Sequence, residues 1–432
     1  MTIPTRILLT RHGESTFNAQ SRVQGRSDEA ALTERGRLMA VNTGQLLQGV
    51  GVDHIYTSPL RRALETAQLL DLPGVPITPT EQLLEIDLPE WEGLTHEQVR
   101  TQFPQDYQHW RNAPAQFVMA GRYPLLELLH QAAQFWQDVI PRHRGQTLMV
   151  VGHATINRML LVQLLGLDPA DYFRLQQSNC GLTVLNLQPE RVQWEALNLV
   201  FHTGNLFPKS LFPKYKGGTR IYLVRHGETD WNRNGQFQGQ RDIPLNENGI
   251  TQAEKTQKLL SSVVLDFAVS SPLSRSQQTA EIILASHPKI KLNLIPDLQE
   301  ISHGLWEGKF HREVETEFPG MLDIWNQNPE RVQMPGGENL TQVWERAGQT
   351  WQKIITQYDG QQGIVVAHDA INKAILCQLF HLAPAHFWLF KQGNGAVSVI
   401  DYPEGAGGSP ILQTLNLTRT DGLLDQTVAG AL

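Results

Sequence analysis

The chain has 432 residues, 41% of them hydrophobic and 18% charged, with a formal net charge of −7. That length is too great for one ordinary core and suits two domains of about 200 residues each, while the composition is that of a soluble globular protein. The acidic balance argues against a nucleic-acid partner, which needs a basic face.

The first apolar run, residues 6–10, ends in Arg11-His12-Gly13. The pattern then predicts a helix over 33–47, a strand over 52–57, a helix over 59–70 and a strand over 147–152. Closely spaced strands over 182–187 and 194–199 suit an antiparallel edge. Residues 201–218, with two Phe-Pro-Lys steps and a Gly-Gly, read as a linker. The order then starts again. A strand over 219–224 ends in Arg225-His226-Gly227, strands follow over 265–270 and 363–367, and a last strand covers 412–417. Residues 421–432 read as a frayed tail.

The blocks TSPLRRALETA, LLEIDLPEWEG and VVGHATINRML reappear as SSPLSRSQQTA, LQEISHGLWEG and VVAHDAINKAI, shifted by 213 to 215 positions. A period this long is a whole-domain duplication rather than a solenoid repeat. Strands alternating with helices predict α/β domains, each a largely parallel sheet covered on both faces. The expected division is one three-layer α/β/α domain over 1–200 and a second over 219–420.

The two cysteines, Cys180 and Cys377, lie in no metal-ligand or disulfide spacing, which suits a reducing, cytoplasmic setting. No apolar run approaches the roughly 18 residues of a membrane span, and MTIPTRILLT offers no signal-peptide core. No membrane partner, metal or organic cofactor is expected.

Ligands of open α/β sheets bind beyond the carboxyl ends of the strands. His12 and His153 each follow a predicted strand directly, as do His226 and His368. If the strands of each pair are parallel neighbours, both imidazoles emerge at one edge. A histidine with one ring nitrogen free and the other held can attack phosphorus. Nearby arginines favour its neutral form, and Arg11 with Arg62, or Arg225 with Arg275, supply fork-shaped donors for phosphoryl oxygens. Glu85 and Glu300 are the candidate acids for a leaving oxygen. A glutamate beside the glycine- and tryptophan-containing turn that follows can equally serve as a helix N-cap partner. Trp91 and Trp306 read as packing residues.

The order RHG-x4-N, SPLxRxxxTA, a glutamate ahead of WEG, and a histidine after Gly or Ala, twice in one chain, resembles the histidine phosphatase superfamily, in its phosphoglycerate-mutase-like branch. The resemblance implies phosphoglycerate-mutase-like domains working without a metal. It implies phosphorylated nucleophiles at His12 and His226. It also implies phosphate pockets built from Arg11, Arg62 and His153, and from Arg225, Arg275 and His368, with Asn18 and Asn232 touching the phosphate. The tandem plan resembles the plant phosphatases acting on 2-carboxyarabinitol 1-phosphate, and other small acids such as phosphoserine stay open.

The halves differ at the wall expected to select the substrate. MPGGENLTQVWERA resembles the family's PGGES helix start and makes Glu338 a candidate substrate contact. Its counterpart in the first half reads AGRYP, with Tyr123 at the position of Glu338 and Arg122 at that of Gly337. The second half is therefore expected to be the main catalyst, hydrolysing a small phosphorylated metabolite. A mutase and a non-catalytic binding protein are the alternatives. The first is disfavoured by only 60 residues between Gly93 and His153, or Gly308 and His368, and by the lack of a Glu-Arg-His-Tyr-Gly block; the second by the full Arg/His/Glu set in both halves.

Overall fold

A computed structural model of the protein describes residues 4–189, 191–204, 207–208 and 217–418. The chain divides into two compact units between Pro208 and Lys209, inside the stretch read as linker. Phe201–Thr203 form one helical turn, while residues 209–216 and the expected tail lie outside the described residues.

The first unit runs β1 (Thr5–Arg11), α1 (Glu34–Leu47), β2 (His54–Thr57), α2 (Arg61–Leu69), β3 (Ile77–Pro79), α3 (Pro124–Val139), β4 (Thr147–Gly152), α4 (Ala154–Leu165), β5 (Leu182–Leu187) and β6 (Val192–Leu199). Its strands lie in the order β3-β2-β4-β1-β5-β6. The first four are mutually parallel, and β5 and β6 are antiparallel additions. The inner strands β1 and β4 bury nearly every side chain, as two-sided cover requires.

Local signals start the helices. The Thr33 hydroxyl caps α1 by accepting the Gly36 N–H. Pro124 opens α3, whose Leu125, Leu128, Ala132, Phe135 and Val139 form the buried stripe. Crossovers through α1 and α2 move one way across the sheet, and the crossover through α3 moves back. Right-handed connections therefore put them on opposite faces, which gives the three layers.

The second unit repeats the plan: β7 (Thr219–Arg225), α5 (Glu247–Leu260), β8 (Phe267–Ser270), α6 (Ser274–Leu284), β9 (Leu292–Leu294), α7 (Leu340–Gln357), β10 (Gln362–Ala367), α8 (Asp369–Gln378), β11 (Val397–Tyr402) and β12 (Ile411–Leu417). The order within this unit is β9-β8-β10-β7-β11-β12. The strands expected from the sequence all form, with ends moved by one or two residues. β3, β9 and β11 are additional. β3 and β9 are three residues long and flanked or ended by proline, too short to show a period of two.

Candidate active site

Strand register decides what the histidines at the strand ends share. Arg11 is the partner of Gly152 in the parallel β1/β4 pair, and Arg225 the partner of Ala367 in β7/β10. The next residue on each strand is a histidine. His12 and His153 therefore meet edge to face with ring centroids 5.1 Å apart, and His226 and His368 repeat this at 5.1 Å. All four are buried.

His226 Nδ1 lies 2.6 Å from the Gly227 carbonyl, and His12 Nδ1 lies 2.7 Å from that of Gly13. A carbonyl only accepts, so Nδ1 carries the proton in each case and Nε2 keeps its lone pair. The loops are fixed on their other sides. Thr279 and Thr66 accept the Gly227 and Gly13 N–H groups, and Asn394 and Asn179 donate to the histidine carbonyls. A Cβ on Gly227 would stand 2.3 Å from the Gly249 carbonyl oxygen, and one on Gly13 2.4 Å from that of Gly36. Only glycine lets the strand end pass so close to the first turn of the following helix.

The guanidinium groups are anchored from behind. Arg225 Nη1 donates to the Gln392 carbonyl at 2.6 Å, and Arg275 donates to the carbonyls of Arg241 and Gly239, each at 2.8 Å. Arg275 Nε faces His226 Nε2 at 3.3 Å. In the first unit Arg11 bonds the Gln177 carbonyl, and Arg62 those of Ser27 and Gly25. The Nε groups of Arg11, Arg62 and Arg225 are buried without a protein partner, as is His368 Nδ1. Buried, unpaired guanidinium donors whose charges act on a histidine are what an oxyanion such as phosphate would satisfy.

Burial and the charges of Arg275 and Arg225 hold His226 well below its ordinary value of 6.5, and burial with Arg11 and Arg62 does the same to His12. Both rings are neutral at pH 7, as a nucleophile requires. Burial lowers Arg11 and Arg275 to about 10, which leaves both charged.

The glutamates lie where a second helix begins. Glu300 accepts the N–H groups of Ile301 and Ala370, the latter in the first turn of α8. Glu85 accepts those of Ile86, Thr155 and Ile156, the last two in the first turn of α4. The cap-partner role and a place at the site thus belong to one residue. Burial raises Glu300 above 4.5, and the charge of Asp369 raises it further.

In the second unit Arg225, His226, Asn232, Gln236, Gln238, Gly239, Arg275, Glu300, His303 and Asp369 line a cleft, and His368 lies behind His226 outside this lining. Asn232 lines the cleft while its Oδ1 accepts from Thr229; Asn18 is tied to Ser15 in the same way. Glu338 is not among the lining residues. Its carboxylate takes two bonds from Arg346, at 3.1 and 2.9 Å, and one from the Ser302 N–H. Trp306 and Trp91 are buried against Phe237 and Phe117, in keeping with packing roles.

Three features were missed from sequence. Asp369 is buried in the cleft, 2.6 Å from Lys373 and 3.6 Å from Arg225. Its signal was Asp369 standing at the position of Ala154, in the change from His-Ala-Thr to His-Asp-Ala between matched blocks. Ser271 and Ser276 bond His368 Nε2 at 2.8 and 3.2 Å, whereas both ring nitrogens of His153 lack protein partners. Ala63 stands where Ser276 would be. His303 and the amides Gln236 and Gln238 complete the rim. Among the described residues no group of three or more His, Cys, Asp or Glu side chains is placed to hold a metal, and no helix is long and apolar enough to cross a membrane.

The chain has relatives among known proteins. The histidine phosphatase superfamily (branch 1) matches residues 7–200 and again 221–417. A 2-carboxy-D-arabinitol-1-phosphatase of Triticum aestivum is 30% identical over 431 residues, covering 96% of this chain and 86% of the wheat protein. Phosphoserine phosphatase 1 of Hydrogenobacter thermophilus is 32% identical over 199 residues, 46% of this chain and 92% of its own. A phosphoserine phosphatase structure from Entamoeba histolytica, solved with phosphoserine, covers 47% of this chain and 98% of that one at 27% identity, with a TM-score of 0.40. With both halves matched by one family and a wheat relative aligned along nearly its whole length, the chain belongs to the histidine phosphatase superfamily, branch 1.

Proposed function

We propose that this enzyme, a phosphatase by its family, hydrolyses a small phosphorylated metabolite through a phosphohistidine formed on His226, with the second unit as the main catalyst. The observation that carries the reading is His226 itself, with Nδ1 tied to a carbonyl and the Nε2 lone pair facing Arg275. In the first step Nε2 attacks phosphorus and the ester P–O bond breaks. Arg225, Arg275 and His368 hold the equatorial oxygens, and Glu300 gives its proton to the leaving oxygen. In the second step Glu300 takes a proton from water as the water oxygen attacks phosphorus, the P–N bond breaks with its electron pair returning to Nε2, and inorganic phosphate leaves. Asn232 would steady the phosphate. His12, Arg11, Arg62, His153, Glu85 and Asn18 form the corresponding set in the first unit.

The relatives favour a phosphorylated sugar acid or small acid, 2-carboxyarabinitol 1-phosphate or phosphoserine, as substrate. The test is phosphate release from a metabolite panel in EDTA by wild type, His12→Ala, His226→Ala and the double variant. Release from one of these two acids, lost in His226→Ala, supports the reading. Full activity in His226→Ala overturns the assignment to the second unit. Isomerisation of 3-phosphoglycerate in place of hydrolysis would identify a mutase.

A further inference from the structure

The loop that carries each glutamate is braced by one arginine and one glutamine, and the two units exchange which element supplies which. In the second unit Arg346, on α7, donates through Nη1 to the carbonyls of Asp297 at 2.8 Å and Gln299 at 2.7 Å, and through Nη2 to that of Glu300 at 3.4 Å. Gln240, from the loop after the Arg-His-Gly motif, adds a bond to the Glu300 carbonyl at 3.1 Å. In the first unit Gln131 holds the position of Arg346. Its Nε2 bonds the carbonyls of Gln82 and Leu84, at 3.1 and 2.8 Å, the counterparts of Asp297 and Gln299. Arg26 holds the position of Gln240 and bonds the Glu85 carbonyl at 3.0 Å, while its Nη2 bonds Gln131 Oε1 at 3.2 Å.

A third position follows the exchange. A guanidinium at 346, more than four-fifths buried, needs a counter-charge, and Glu338 supplies it with two bonds. Where the helix carries the neutral Gln131, the position of Glu338 is taken by Tyr123, half exposed. The difference first read as an altered substrate wall is thus part of the brace. Arg346 with Gln240 in one unit does the work of Gln131 with Arg26 in the other, on the same row of carbonyls.

The geometry points to Arg346 and Gln240 as positioning residues for Glu300, and to Arg26 and Gln131 as positioning residues for Glu85, each pair exchangeable as a unit. They bond the main chain that aims the carboxyl group and touch none of the reacting atoms. The carboxyl is held at its far end by the Ile301 and Ala370 N–H groups, so freeing its carbonyl side lets it swing away from the leaving oxygen. A misplacement of about an ångström costs about 10²-fold in rate. The inference rests on the phosphatase reading of the second unit, and its test separates the two.

The full-length protein carrying His12→Ala is assayed with p-nitrophenyl phosphate and phenyl phosphate. These have nearly one shape but leaving oxygens of very different basicity, so only phenyl phosphate depends strongly on the acid. Arg346→Gln is expected to lower kcat on phenyl phosphate about 10²-fold and to change p-nitrophenyl phosphate turnover less than about threefold, following Glu300→Gln. Arg346→Lys, which keeps the charge beside Glu338 and loses the fork, should show the same selectivity in smaller degree. The exchanged variant Gln240→Arg/Glu338→Gln/Arg346→Gln should regain most of the phenyl phosphate activity. Equal losses on both substrates in Arg346→Gln and Arg346→Lys, or no recovery on exchange, overturn the inference alone. If the His12→Ala protein turns over neither substrate, the phosphatase reading of the second unit falls and the inference with it.

Discussion

Arg275 Nε reaches His226 Nε2 across 3.3 Å, while the other ring nitrogen of His226 is committed to the Gly227 carbonyl. One guanidinium thus meets the free ring nitrogen at hydrogen-bond distance. In the first unit the Arg62 Nε group is buried without a protein partner, and His153 lacks the serine bonds that His368 has.

The difference between the units predicts unequal losses. His226→Ala should lower kcat for phosphate release about 10³-fold or more, as removal of a nucleophile does, and should abolish an acid-labile, alkali-stable phosphoryl label on the rapidly quenched enzyme. His12→Ala should change overall kcat less than about threefold. Equal losses from the two variants would contradict the division of labour.

Asp369 sets a pH limb. Burial and the Asp369 charge keep the Glu300 proton bound to a higher pH than usual, against the pull of Arg275 and the backbone N–H groups. If Glu300 is the acid, kcat/KM falls as pH rises through its raised pKa. Removing the neighbouring charge in Asp369→Asn should move that falling limb to lower pH. Lys373 loses its partner in this variant but remains over the rings of Phe387 and Trp388, 4.7 Å from each centroid. A limb that stays in place or moves upward would exclude the coupling.

The buried histidines make stability sensitive to acid. His12, His153, His226 and His368 are held well below 6.5 in the folded protein. Unfolded chains protonate them near 6.5, so their contribution is complete above that value and is lost as pH falls below it. Each should remove about 1.4 kcal/mol of stability per pH unit over that range. Glu300 acts in the opposite sense, since its raised pKa favours the folded state as the pH falls toward 4.5. Denaturant melts at pH 7.5, 6.0 and 5.0 should show the decline, and a flat profile would count against four neutral rings.

Gly227→Ala should be costly at a site with no side chain to lose. The new Cβ would meet the Gly249 carbonyl oxygen at 2.3 Å. Relief requires the strand end or the α5 start to move, at about 1–3 kcal/mol, and displaces His226 from Arg275. A lower Tm together with lower kcat is expected; an unchanged Tm would show that the contact is slack.

The reactive core was legible because its residues stand at strand ends, where a run of apolar residues announces the strand and the next residue has little freedom in where it emerges. His12 beside His153, and His226 beside His368, needed only that their strands be parallel neighbours. Glu85 and Glu300 were legible as acids or as cap partners, and the fold makes those one position. Arg346 was not legible. Its carbonyl partners lie 46 to 49 residues earlier, and main-chain acceptors carry no sequence signature. Glu338 was read toward the substrate because motif resemblance gives a residue's place along the chain and says nothing of which neighbour takes its charge. Asp369 escaped because one acidic residue in the first turn of a helix is ordinary. Its meaning came from burial beside Arg225 and Lys373.

The exchanged brace also limits the routes by which two descendants of one domain could have diverged. Three positions, those of Arg346, Gln240 and Glu338, separate the arrangement with arginine on the helix from that with arginine in the loop. A chain in which only one of the arginine and glutamine positions has changed carries either two arginines at that loop or two glutamines. The first crowds like charges around a single row of carbonyls; the second keeps neutral donors for the same row and leaves Glu338 without its cation. The glutamine intermediate avoids the crowding of like charges, but Arg346 and Glu338 neutralise each other, so whichever of the two changes first leaves the other without its partner.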